Sequence, residues 1–221
     1  MKYSRTPASQ GFQYPQYCHY PGTVYYKPGG FYTFYSDSIQ NPAVRDWPKT
    51  DLRYRYNWYS QTFGLGATTI LLKKFSDGVT TTAGGNDYPM YRYADVLLFY
   101  AESVAQADGA PNADAMEKLN MVHRRAYGKK PTVPDAAIDF KLADYPTKQA
   151  FIDLVVKERG YETVGEAKRW YELKRLGIAQ QVIKAVKGKD MAARHLLWPI
   201  PVSELNYNKA IDPVKDQNPG Y

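Results

Sequence analysis

Glu158, Glu162 and Glu166 recur at four-residue spacing, which places their carboxylates on one face of a helix. Paired carboxylates are the machinery of glycoside hydrolysis, one serving as acid and the other as base or nucleophile. Such pairs flank a sugar from different elements. These three share one stretch of backbone, with Arg159, Arg169 and Arg175 close in sequence. The spacing therefore predicts an ion-pair network rather than a catalytic pair. His19, His123 and His195 stand apart, without H-E-x-x-H or a comparable ligand pattern, so no metal site is expected. A single cysteine, Cys18, excludes an internal disulfide and any Cys-based zinc site. The sequence holds neither a phosphate-cradling glycine fingerprint nor a nucleophile elbow. No cofactor is expected, and the chain reads as a binding protein, not an enzyme.

Charge offers a second chemistry. The net charge is +7, and Arg124, Arg125, Lys129 and Lys130 form one basic cluster. Lys168, Arg169, Lys174 and Arg175 form another. Basic residues interleaved with aromatic rings can bind single-stranded nucleic acid. Acidic residues alternate with the second cluster, however, and nucleic acid is not an expected partner.

Two helices joined by a short turn organise the elements around these residues. Over 90–104, Tyr93, Leu97, Tyr100 and Val104 recur at helical spacing, with Leu98 and Phe99 widening the stripe. This predicts a central helix with Asp95, Glu102 and Gln106 on its remaining face. Asp108-Gly109-Ala110-Pro111 ends it, and Asn112 caps a second helix with Ala115, Leu119, Val122 and Ala126 on one side. So short a connection makes the pair antiparallel. Residues 1–60 lack sustained periodicity but are dense in Tyr, Phe, Trp, Pro and Gly, and Asn41-Pro42 and Trp47-Pro48 read as breaks. Thr68 to Phe75 reads as a strand, with Val79 to Thr82 as a short return after the Ser76-Asp77-Gly78 turn. Thr147 caps a third long helix that should break near Gly165. Helices follow over 167–176 and 178–187, then an extended Leu196 to Pro201 and a turn at Ser203 and Glu204. The fold class is mainly α with long irregular loops and a short β-hairpin. Four regions are expected: an aromatic-rich loop region (1–60), a hairpin and loop (61–87), a helical hairpin (88–128), and C-terminal helices with an extended tail (129–221).

Three separated motifs resemble the SusD/RagB family of outer-membrane nutrient-binding lipoproteins of Bacteroidetes. Arg92 to Glu102, followed by Leu119 to Ala126, is similar to the family's R-Y-A-D-V-L-L-x-Y-A-E and L-N-x-V-R-x-R-A. Glu158 to Arg175 is similar to E-R-x-x-E-x-x-x-E-x-x-R-W-F-D-L-R-R. Leu197 to Glu204 and the final Gln217 to Tyr221 are similar to L-x-P-I-P-x-S-E and Q-N-P-G-Y. Asp51-Leu52-Arg53 is similar to the family's D-P-R, with Leu in place of Pro. His123 stands where the family usually has Arg, and Ala167-Lys168 replaces a typical Gly-His.

The resemblance implies non-catalytic binding of glycans at the cell surface for delivery to a SusC-like TonB-dependent transporter, with peptides as the alternative ligand. It implies a cell outer-membrane location reached through a lipid anchor that this chain does not carry. Cys18 follows no apolar segment and is not a lipidation site. The family's N-terminal tetratricopeptide-like scaffold is not matched, so the chain reads as the C-terminal part of a longer protein. Sugars stack flat C–H faces on aromatic rings, and rings in loops bounded by Pro or Gly tend to stay exposed. That selects Tyr26, Phe31 and Tyr32 around Lys27-Pro28-Gly29-Gly30, and Trp47 and Trp58 around Asp51-Leu52-Arg53, as ligand-binding residues. Trp170 and Trp198 lie inside shared motifs and are expected in the core.

Overall fold

The computed structural model describes residues 12–25, 31–78 and 84–221. The chain divides into two compact units, Met1–Arg169 and Trp170–Tyr221. In the first, the front segment carries short elements set by local chemistry. Pro15 lies in the first turn of α1 (Tyr14–Cys18), where a missing N–H leaves no bond unmade. The Asn41 side chain accepts from the Ala43 amide, and Pro42 opens α2 (Pro42–Arg45). The Asn41-Pro42 break is thus a helix start. Asp51 caps α3 (Leu52–Asn57) by accepting from the Arg53 amide at 2.8 Å.

β1 (Tyr35–Asp37) and β2 (Trp58–Ser60) flank β3 (Thr69–Leu72) in an antiparallel sheet of order β1-β3-β2. Tyr35 pairs with Leu71, and Trp58 with Leu72. β3 falls inside the expected strand and is buried at all four positions. The return strand expected at 79–82 lies outside the described residues. Both partners of β3 come instead from the front segment, where three-residue strands are too short to show alternation.

The helical hairpin forms as expected. α4 (Tyr93–Asp108) ends at Gly109, whose φ of 75° is open to glycine at no steric cost. The Asn112 side chain then accepts from the Ala115 amide at 2.9 Å to start α5 (Ala113–Ala126). Ala115, Leu119, Val122 and Ala126 are all buried. α6 (Lys148–Glu162) starts on the Thr147 hydroxyl, and α4 packs against both α5 and α6.

The buried stripe of α4 is not the expected one. Ala94, Leu97, Leu98, Ala101 and Ala105 face inward, while Tyr93 is 69% and Tyr100 44% exposed. Small residues bring α4 close to its two neighbours, and the rings are left outside. Asp95 and Glu102 are buried rather than solvated, because Lys168 and Arg159 pair with them at 2.7 and 2.9 Å.

In the sequence after α6 the backbone turns at Gly165, and Ala167 has a positive φ of 53°, which no helix tolerates. α7 (Arg169–Arg175) therefore starts two residues later than the sequence suggests. α8 (Ala179–Lys187) stops at Gly188, and α9 (Val202–Tyr207) forms where a turn was expected. Within the second unit the terminal motif holds the Trp-Pro-Ile-Pro segment. Gln217 exchanges two hydrogen bonds with the Ile200 backbone, and Asn218 donates to the Trp198 carbonyl at 2.6 Å. The Tyr221 hydroxyl donates to the carbonyls of Arg194 and Leu197. The Trp198 ring is 80% exposed, contrary to its expected place in the core. Trp170 is half-buried.

Candidate binding site

The three glutamates lie on and just beyond the end of α6, each at most 4% exposed. Arg53 bonds Asp51 and reaches Glu158 at 2.7 Å and Glu162 at 3.3 Å. Arg92, from the residue before α4, pairs with Glu162 at 2.5 Å and Glu166 at 2.7 Å. Arg125 at the end of α5 pairs with Glu162, and Lys74 and Lys168 with Glu166. The His123 ring lies 3.2 Å from the second oxygen of Glu158. The expected network is present, and Arg53, Lys74, Arg92 and Arg125 bring cations to it from other parts of the chain. Arg159 is one residue round the helix from Glu158 and turns to Glu102, while Arg169 donates to the Val156 carbonyl.

This network opposes acid catalysis. Burial alone would push Glu162 up, but the Arg125 and Arg92 guanidiniums overcome it and hold the carboxyl at about 2. A glycosidase acid must keep its proton near neutral pH. Glu162 is held the other way.

Most of the first basic cluster, and Lys168 of the second, are paired with carboxylates inside the chain. Arg124, 1% exposed, makes bidentate bonds to Glu117 and Asp139. Arg125 and Lys168 belong to the network above, and Lys129 lies 3.3 Å from Asp135. Paired cations are not available as a track for phosphates.

The aromatic rings behave differently from one another. Tyr26 lies outside the described residues. Trp47 is 2% exposed, so the exposure expected of it is not found. Its ring stacks on Tyr161 at 4.4 Å and its indole N–H donates to Asp51 at 3.0 Å, which makes it part of the α3–α6 packing. Trp58 is half-buried at the start of β2, with its indole N–H unpartnered among the described residues.

Phe31 and Tyr32 are 57% and 37% exposed. Phe31 packs at a tilt on Tyr17 at 5.4 Å, and Tyr17 on Phe34 at the same distance. Tyr32 packs on Tyr20 at 4.9 Å and on Phe63 at 5.3 Å, and Phe63 meets Tyr35 at 5.2 Å. Tyr32 has a φ of 37°, costly for a bulky residue and held by these two neighbours. The result is a set of mutually supported, partly exposed rings. Sequence reasoning found two of them and missed Tyr17, Tyr20, Phe34, Tyr35 and Phe63. The dense Phe-Tyr-Thr-Phe-Tyr run at 31–35 was the available signal. Trp58 is not joined to this set by a ring contact among the described residues.

The sequence model of the SusD family matches residues 56–221, and the chain belongs to that family. Among related sequences, SusD-like protein P25 of Formosa agariphila is 28% identical over 138 residues, spanning 60% of this chain and 24% of the relative. SusD-like protein P2 of the same organism is 31% identical over 142 residues, spanning 62% and 26%. A SusD homolog from Bacteroides thetaiotaomicron superposes with a TM-score of 0.64 at 22% identity, covering 81% of this chain and 43% of its own. Surface glycan-binding protein A from Bacteroides fluxus superposes with a TM-score of 0.66 at 23% identity, covering 96% and 46%. The chain thus spans about a quarter of the curated relatives and under half of these solved chains.

Proposed function

We propose that this chain contributes a glycan-binding surface to a cell-surface protein that delivers its ligand to a TonB-dependent transporter in the outer membrane. The observation that carries the reading is the supported set of exposed rings around Phe31 and Tyr32, in a chain of the SusD family. Rings braced by other rings present flat faces without losing side-chain freedom on binding, which suits the C–H faces of a sugar. One solved structural neighbour bears the name surface glycan-binding protein A, which fits this chemistry. A glycan array probed with the full-length protein, wild type and Phe31→Ala, tests it. Retention of a glycan by the wild type and its loss in the variant support the reading. Capture of peptides alone on a parallel peptide array overturns it. The delivery step is tested by isolating the full-length protein from outer membranes. Co-purification of a TonB-dependent barrel supports it, and recovery from cytosol alone overturns it.

A further inference from the structure

A cavity of about 380 Å³ opens beside α6, away from the ring set on the front segment. Its size falls at the lower end of small-molecule sites. Ala150, Leu154, Glu158 and Tyr161 present one face of α6 to it, and His123 and Tyr127 enter from the end of α5. Phe140 and Tyr145 close the far side. That side is fixed in place, because Asn120 donates to the Phe140 carbonyl at 3.0 Å and accepts from its amide at 2.9 Å. Phe140 also packs on the His123 ring at 4.1 Å and meets Tyr145 edge-on at 6.0 Å. Tyr161 is locked by its stack on Trp47. Four rings and an imidazole thus wall a pocket in which side-chain freedom is already lost.

The charged groups of the wall are mostly acidic. Asp51 and Glu158, each at most 2% exposed, reach it from α3 and α6, and Asp153 adds a carboxylate on the exposed side. Arg53 offsets the first two from behind, and Lys157 is the one cation among the lining residues. We propose that this cavity binds a primary ammonium group carried on a short aliphatic or sugar body. The aromatic faces attract the cation through their quadrupoles, and Asp153, the lining carboxylate not paired to Arg53, adds Coulomb attraction. Burial first, and after it the Glu158 and Asp51 charges, push the Tyr161 hydroxyl up to about 12, with the Arg53 charge acting against them. Burial and then Asp51 raise Tyr127 as well.

Two sources share this chemistry: an amino sugar, and a lysine side chain of a peptide. Calorimetric titration of the full-length protein with glucosamine and with N-acetyl-lysine amide separates them, with glucose and N-acetylglucosamine as neutral controls. Saturable binding of one ammonium compound, at least about tenfold tighter than the neutral sugars, is expected. Tighter glucosamine binding identifies a sugar source, and tighter lysine binding a peptide source. Tyr145→Ala should weaken that binding about tenfold, while Lys157→Ala should tighten it two- to threefold by removing a like charge. Lys157 is exposed, so its replacement leaves folding intact, and a thermal melt checks the Tyr145 variant. Affinity no tighter for either glucosamine or N-acetyl-lysine amide than for glucose overturns the proposal. So does the absence of saturation at millimolar ligand, or weaker binding by Lys157→Ala.

Discussion

Arg92 and Glu162 tie the start of α4 to the end of α6. Arg92 Nη1 lies 2.5 Å from Glu162 Oε1, and Nη2 donates to the Glu162 carbonyl at 3.1 Å. The same guanidinium reaches Glu166. Replacing Arg92 by Ala leaves two buried carboxylates short of a partner, so the expected loss is about 3 kcal/mol in urea unfolding. Arg125 also bonds Glu162, but its side chain is 49% exposed, and Arg125→Ala should cost about 1 kcal/mol. Equal losses in the two variants would mean that the network does not depend on how deeply its cations are buried.

Acid should weaken the fold in two windows. Burial pushes His19 down to about 4, so the unfolded chain, with a histidine near 6.5, binds the extra proton first. Stability from His19 is therefore full above about pH 6.5 and is lost as pH falls toward 4. Glu162 sits at about 2 when folded, so its contribution is lost between about 4.5 and 2. Melting temperature followed against pH should show both declines. His19→Gln should remove the upper one and leave the lower; a profile unchanged by that substitution would assign the upper decline to another group.

Gly165 lies against the sheet. Its φ is +73°, and a Cβ added there would overlap Leu72 Cδ2 of the buried strand β3. Gly165→Ala should destabilise by about 2–3 kcal/mol, combining overpacking with a strained backbone. Leu72→Ala removes the obstruction but not the strain. In the double variant the two losses should fall short of their sum by 1 kcal/mol or more. Simple additivity would show that Leu72 is not the obstacle.

The long helices were legible because each carries its own start and stop: Asn112 and Thr147 as caps, Gly109 as a terminator. The facing of α4 was not. Hydrophobicity alone favours burying Tyr93 and Tyr100, but close packing against two helices favours Ala94, Ala101 and Ala105, and sequence spacing does not report the neighbours. The glutamate network was legible as a network because buried carboxylates need cations. Which cations serve depends on contacts such as Arg53 to Glu162, 109 residues apart. Trp47 and Phe31 both sit near prolines or glycines, yet one is stacked on α6 and the other exposed. Flanking residues set a ring's backbone, whereas its burial depends on what arrives from elsewhere in the chain.

That contrast gives the sharpest test of the binding surface. Trp47→Ala removes a buried indole, its stack on Tyr161 and its bond to Asp51, and should destabilise by about 3–5 kcal/mol. Phe31→Ala removes an exposed ring and should change stability by less than about 0.5 kcal/mol. Stacking a sugar on one ring contributes on the order of 1 kcal/mol, so Phe31→Ala should weaken glycan binding about fivefold. Tyr32→Ala should weaken it similarly and also release a residue held at positive φ, so its stability cost should be small. Trp58→Ala and Tyr26→Ala complete the series, each read by glycan affinity with a parallel urea titration. Loss of affinity at Phe31 and Tyr32 with stability retained would place the glycan on these rings. Unchanged affinity at all four positions would move the site away from this chain's aromatic loops.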